Sequence, residues 1–392
     1  MSSRLTIGLI IALWNLPWVL HIAGISPSRP LNGYQEEATP GKPTMETIQS
    51  GEFQSKTEDF LRVNFPFRPD AIRMQHQIDW SLFGKQHVKS TVVGKEGFLF
   101  ERAYVNAARG LDPLDPEEIQ RRSKAIKQAS DSTGTPIVVA LAPGKGHFFR
   151  EFLPPCIEAN CGDVPNRGHR LWKSALQSVG IPVLDLHSAF DTLRIGSKHP
   201  LFPKTGIHWS EFSMTQVVPA LCQAVDAFLP VPLASGSWHV DSVRTPKKPE
   251  GTDDDIERAM NLLFDLPDFQ MAYPVAQWEP SPARPKVLLV GDSYAWTPVN
   301  RGILRDGWQG EFWFYNQTAH GPDVQTKGMK VEARLSATGP DFLANQDAIL
   351  LLSTDANLSR FPFGFAGIGS NLPMTAQGNA SSGAAPQGTR PH

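Results

Sequence analysis

The stretch Val287-Leu-Leu-Val-Gly-Asp-Ser-Tyr-Ala295 decides how the rest of the chain is read. Four apolar residues form a run of the length of a buried strand. Gly291 permits a sharp turn. Ser293 then falls between the C-terminal end of that strand and the N-terminus of a helix. Free backbone N–H groups gather at such a point, and the helix dipole favours an anion there. A nucleophilic serine and half of an oxyanion hole belong in this place. The plainer alternative is a loop in which Asp292 or Ser293 only caps the next helix.

The same grammar recurs on both sides. "TPIVVALAP" (135–143), "IPVLDL" (181–186), "GEFWFYN" (310–316) and "DAILLLSTD" (347–355) read as strands. Between them, "DPLDPEEIQRRSKAIKQAS" (112–130), "RLWKSALQSVG" (170–180), "HWSEFSMTQVVPALCQAVDAFL" (208–229) and "DDDIERAMNLLFDL" (253–266) read as helices. Asp115, Pro116 and Glu118 form a capping signal. Pro219 is expected to kink or bound its helix. "STVVGKEGFLFE" (90–101) carries a hairpin signal. Alternation of this kind predicts an α/β domain with a mostly parallel sheet, whose ligands sit at the C-terminal ends of the strands.

The chain has 392 residues, a net charge of -2, 34 prolines and 32 glycines. That balance argues against an electrostatic nucleic-acid binder. The N-terminus has Arg4 ahead of an apolar run from Leu5 to Ile25. It reads as a signal anchor over 1–26 that leaves the rest outside the membrane, with a cleaved signal peptide as the alternative. Residues 27–65 read as an exported stalk and helical lead-in, 66–358 as the catalytic domain, and 359–392 as a disordered tail. Cys156 and Cys161 share one loop, where export would allow a disulfide, and Cys222 is the third cysteine. No metal or cofactor signature is present.

His208, in "KTGIHWS" (204–210), is the candidate partner for Ser293. Trp209 and a capping serine, Ser210, follow it. Set in order, "LFPKTGIHWS" and "VLLVGDSYA" resemble the AlgJ/AlgX family of alginate O-acetyltransferases, whose domain is SGNH hydrolase-like. "VVGKEGFLFE", "VVALAPGKGHFFREFLP" and "AILLLSTDANL" agree, so the resemblance spans about Arg29 to Leu358. It implies a three-layer α/β domain with Ser293 as nucleophile, His208 as base and Asp292 as the acid of the turn.

The family carries Asp-x-His-Trp where this chain has Gly206-Ile207-His208-Trp209. Three readings follow. Another carboxylate substitutes, with Asp185 as the candidate. A backbone carbonyl orients a Ser–His dyad. Or activity is weak or lost. Asn316 and Lys145, at other strand ends, are candidates for an oxyanion or an anionic sugar. Gly291 and Asp292 shape the turn, and Tyr294 and Trp296 are candidates for stacking on a sugar. The resemblance implies a polysaccharide acceptor and a membrane-bound O-acyltransferase that supplies acetyl groups. It places the protein in the periplasm, held at the inner membrane. An acetylesterase and a non-catalytic polysaccharide-binding scaffold are the alternatives.

Overall fold

The computed structural model describes residues 3–25, 29–33, 36–155, 166–323 and 327–368. Among these, two compact units separate. One holds the chain up to Lys89 together with Glu257–Leu266. The other holds Ser90–Ile256 and the chain from Pro267 onward.

The first unit is helical, with helices Ser3–Ile22, Met45–Gln49, Glu52–Val63 and Arg68–Phe83. Arg73 is buried here because its guanidinium donates to the carbonyls of Arg29 (2.9 Å) and Pro30 (2.6 Å). The helix Ser3–Ile22 forms and exposes Ile7, Ile10, Ile11 and Val19, but Asn15, Pro17 and His21 interrupt its apolar run. Among the described residues no helix is long and apolar enough to cross a membrane, so the expected anchor has no structural support.

The second unit contains β1 (Thr91–Val93), β2 (Leu99–Glu101), β3 (Ile137–Ala142), β4 (Val183–Asp185), β5 (Ser237–Arg244), β6 (Tyr273–Glu279), β7 (Lys286–Gly291), β8 (Gln309–Phe314), β9 (Thr318–His320), β10 (Met329–Lys330) and β11 (Ala348–Thr354). Seven of them form one mixed sheet in the order β10-β9-β8-β7-β11-β3-β4. The run from β8 to β4 is parallel, and β9 and β10 add an antiparallel edge. β1 pairs with β2 as an antiparallel hairpin, and β5 pairs antiparallel with β6 across a long connection.

Period-two alternation puts each central strand into both cores. Val138, Ala140, Leu289 and Leu350 face one layer, with Phe190, Val217 and Leu221 from helices Leu186–Gly196 and Met214–Asp226. Val139, Leu141, Leu288 and Leu351 face the other, with Ile119, Ile126, Trp172 and Leu176 from helices Pro116–Thr133 and Arg167–Ser178. A sheet covered on both faces accounts for the near-continuous apolar strands.

Four details differ from expectation or fall outside the structure. The helix Met214–Asp226 runs through Pro219 without ending there. Asp115 caps its helix, while Glu118 turns to Arg121 and Arg122. Phe361 and Phe365, at the start of the expected tail, are buried. Cys156 and Cys161 lie outside the described residues. Cys222 is buried, which pushes its thiol up to about 12.

Candidate active site

β7 ends at Gly291, and the 3-10 turn Ser293–Ala295 follows at once. Gly291 is confined, because a Cβ there would lie 3.1 Å from Ala295 Cβ and 3.2 Å from the Leu352 carbonyl oxygen. Asp292 is fully buried. Its Oδ1 accepts from Tyr294 N (3.1 Å), and its Oδ2 accepts from Thr354 N (2.8 Å), Thr354 Oγ1 (2.7 Å) and Asn357 Nδ2 (2.9 Å). Asp292 therefore ties the end of β7 to the end of β11 and holds the serine turn still. The Ser293 N–H opens that turn, where no helical acceptor exists for it.

The Ser293 hydroxyl donates to His208 Nε2 at 3.0 Å. On the other side of the ring, Nδ1 donates to Asp255 Oδ2 at 2.9 Å. Asp255 Oδ1 also accepts from Ile207 N at 2.8 Å, so one carboxylate holds both the imidazole and the backbone beside it. Its side chain is 6% exposed. Burial pulls the His208 pKa down, but the bond and charge of Asp255, with Asp292 and Glu101 behind, outweigh it. The imidazole stands above its ordinary 6.5.

The segment Lys204–Trp209 is pinned along its length. Lys204 N and Thr205 N donate to Asp268 at 2.9 and 3.1 Å, and the Thr205 hydroxyl binds the same carboxylate. The Tyr294 hydroxyl donates to the Ile207 carbonyl at 2.8 Å. Trp209 is fully buried and donates to the Tyr294 carbonyl at 3.2 Å. Lys145 is 1% exposed, and its ammonium donates to the carbonyls of Leu99 (2.5 Å), Lys204 (2.7 Å) and Gly206 (2.8 Å). A carbonyl buried without a donor costs about 1–3 kcal/mol, so this tripod sets the loop and the hairpin together.

Gly206 has a steric reason. A Cβ on it would lie 2.5 Å from the Asp253 carbonyl oxygen and 2.7 Å from that of Thr252. The backbone of 252–253 fills the space a side chain would need, and two residues later Asp255 reaches His208. Only glycine allows that approach.

Several expectations are corrected. Asp185 does not reach His208. It ends β4, caps the next helix through Ser188, and binds His169 Nε2 (3.0 Å) and Lys173 Nζ (2.6 Å). Lys145 faces carbonyls and offers no donor to a sugar. Tyr294 is fully buried, and Trp296 packs on Phe312, Phe314 and His320. Asn316 is buried, and its amide donates to the Phe363 carbonyl at 3.2 Å. The residue that sequence reasoning missed is Asp255. Its one signal was the run Asp253–Asp255 at a helix start, where acids are ordinary. Tyr315 and Glu101 were missed as well. Burial pushes the Tyr315 hydroxyl up to about 12, with Ser293 among the groups acting on it, and raises Glu101, which feels His208 and Asp255. Among the described residues no set of three or more His, Cys, Asp or Glu is placed to hold a metal ion.

Residues 91–262 match the family described as the SGNH hydrolase-like domain of acetyltransferase AlgX. The resemblance to the AlgJ/AlgX family therefore holds over that segment, and the SGNH hydrolase-like α/β fold with it. The match includes His208 and Asp255 and ends before Ser293. Among solved structures, the chain is similar to the O-acetyltransferase domain of Pseudomonas putida AlgJ, at 15% identity and a TM-score of 0.48, covering 72% of this chain and 99% of that one. It is similar to Pseudomonas aeruginosa AlgX at 14% identity and 0.47, covering 72% and 67%. For Bacillus cereus PatB1 the identity is 10% and the TM-score 0.40, covering 69% and 97%. No curated protein matches the chain.

Proposed function

We propose that the protein is an exported polysaccharide O-acetyltransferase that works through an acetyl-Ser293 intermediate. The observation that carries this reading is the unbroken line Asp255–His208–Ser293, at 2.9 and 3.0 Å. Such a line suits acyl transfer, because each group prepares the next. The Ser293 oxygen attacks the acetyl carbonyl of the donor while its proton passes to His208 Nε2. Asp255 stabilises the imidazolium and holds the tautomer. The Ser293 N–H faces the oxyanion. Collapse breaks the bond to the leaving group, which takes the proton from His208. A sugar hydroxyl then gives its proton to His208 and attacks the acetyl-serine. Collapse releases the acetylated sugar and returns Ser293.

The family resemblance supports a membrane-bound O-acyltransferase as acetyl source and a periplasmic location. Water in place of the sugar would make the same residues an acetylesterase. The scaffold alternative leaned on Gly206, and a carboxylate on His208 Nδ1 supports catalysis instead.

The test incubates the protein with a chromogenic acetyl ester and follows Ser293 by peptide mass. We expect an acetyl group on Ser293, lost in Ser293→Ala and His208→Ala. Added oligosaccharide should accelerate turnover and appear acetylated. Turnover that survives Ser293→Ala would sink the reading, and acetate as sole product in the presence of sugar would make the protein an esterase.

A further inference from the structure

We propose that a second pocket on the same sheet edge, floored by three imidazoles and rimmed by Arg150 and Arg170, binds a compact oxyanion. The cavity measures about 400 Å³, within the range of small-ligand pockets. It lies beyond the C-terminal ends of β3 and β4, two to three strands from β7. At the spacing of neighbouring strands that is roughly 10–15 Å from Ser293.

Three imidazoles and two guanidinium groups line this space, with His147 bonded to Asp191 and Asn166, and His169 to Asp185. His169 stacks on His187 with centroids 3.9 Å apart, and the His147 ring lies 4.7 Å from that of His187. His187 is 3% exposed. Its Nε2 sits 2.9 Å from Asp355 Oδ1 but outside hydrogen-bonding geometry, and its Nδ1 has no hydrogen-bond partner. A buried polar atom without a partner on the wall of a cavity points to a missing ligand atom. Neither the Arg150 nor the Arg170 guanidinium has an ion-pair or hydrogen-bond partner among the described residues, and both residues are exposed on the lining.

The carboxylates nearby are each already engaged. Asp185 is bound by His169, Lys173 and Ser188. Asp355 accepts from Gly144 N at 2.7 Å, beside its contact with His187. Asp191 is the carboxylate on the lining, and it faces His147 at 3.2 Å. Two guanidinium forks without a side-chain partner among the described residues, on a lining shared with imidazoles, suit a carboxylate, phosphate or sulfate group, which can accept bidentately. The site stands on its own residues. That the group belongs to an acidic sugar of the acetylated glycan would rest on the function proposed above.

The test titrates the full chain with sodium glucuronate and with inorganic phosphate at constant ionic strength, following histidine ring signals by NMR. We expect saturable shifts of His147, His169 and His187. In R150A/R170A, two exposed positions, affinity should fall at least about tenfold, while acetyl-ester turnover stays within about twofold. Preference for glucuronate would assign the pocket to an acidic sugar, and equal binding of phosphate to a free oxyanion. Absence of saturable binding by either anion, or binding unchanged in the double variant, would overturn the proposal. Because binding is read without turnover, an inactive enzyme leaves this result intact.

Discussion

Asp255–His208 and Asp355–His187 are two of the aspartate–histidine pairs along one sheet edge, and only the former carries a nucleophile. In the first, Asp255 meets His208 in good geometry, and Ser293 occupies the far nitrogen. In the second, Asp355 lies equally close to His187, yet off the hydrogen-bonding line, and the far nitrogen has no hydrogen-bond partner among the described residues. Burial and an acid partner are common to both. What differs is the third group and the alignment, so proximity of Asp to His does not by itself define catalytic machinery.

The comparison breaks most visibly at the two aspartates. Asp255→Asn should cut kcat roughly a thousand- to ten-thousand-fold, because the amide favours the wrong tautomer, with the fold intact by circular dichroism. Asp355→Asn should instead lower stability by about 3–5 kcal/mol, as expected for half of a buried pair, and change kcat less than about tenfold. Equal losses of kcat in the two variants would erase the distinction. Next comes Lys145→Met. It takes the donor from the Leu99 and Gly206 carbonyls, while the Lys204 carbonyl still accepts from Leu99 N, and it should cost about 2 kcal/mol or more in denaturant unfolding, with kcat falling further than KM rises.

Gly206→Asp restores the familiar spacing in sequence. It should nonetheless destabilise by about 1–3 kcal/mol, because backbone occupies the space, and it should fail to rescue Asp255→Asn in the double variant. Recovery of turnover there would show that 206 can still host the acid. The smallest effect is in pH. His208 must be neutral to accept the serine proton, and Asp255 holds its pKa above 6.5. Rate should therefore rise with pH through a midpoint above 6.5, and that midpoint should drop in Asp255→Asn, read from kcat/KM profiles.

Ser293 and His208 were legible because each announces itself locally, one by strand, glycine turn and helix, the other by an aromatic residue and a cap. The parallel core was legible for the same reason, since strands buried on both faces are continuously apolar. Asp255 was not. It lies 47 residues from His208, and nothing short of the folded chain brings them together. Asp185 looked suitable because it ends a strand, but β4 is three strands removed from β7. Tyr294, Trp296, Asn316 and Lys145 looked available as polar or aromatic groups after strands. Tyr294, Asn316 and Lys145 are buried and Trp296 is half-buried against three aromatic rings, so contacts with distant elements, which the sequence does not show, already engage them.

The Lys145 tripod places a ceiling over the working range. Burial pushes this lysine down to about 7, with Asp268 and Asp255 opposing and Lys204 assisting. A neutral amine has two hydrogens for three carbonyls, so the strut loosens as it discharges. The base must be empty while the strut is full. Catalysis should thus occupy a bell-shaped window near neutrality, whose alkaline side belongs to a residue that never meets the substrate. An alkaline limb that persists unchanged in Lys145→Met would assign that ceiling to another group.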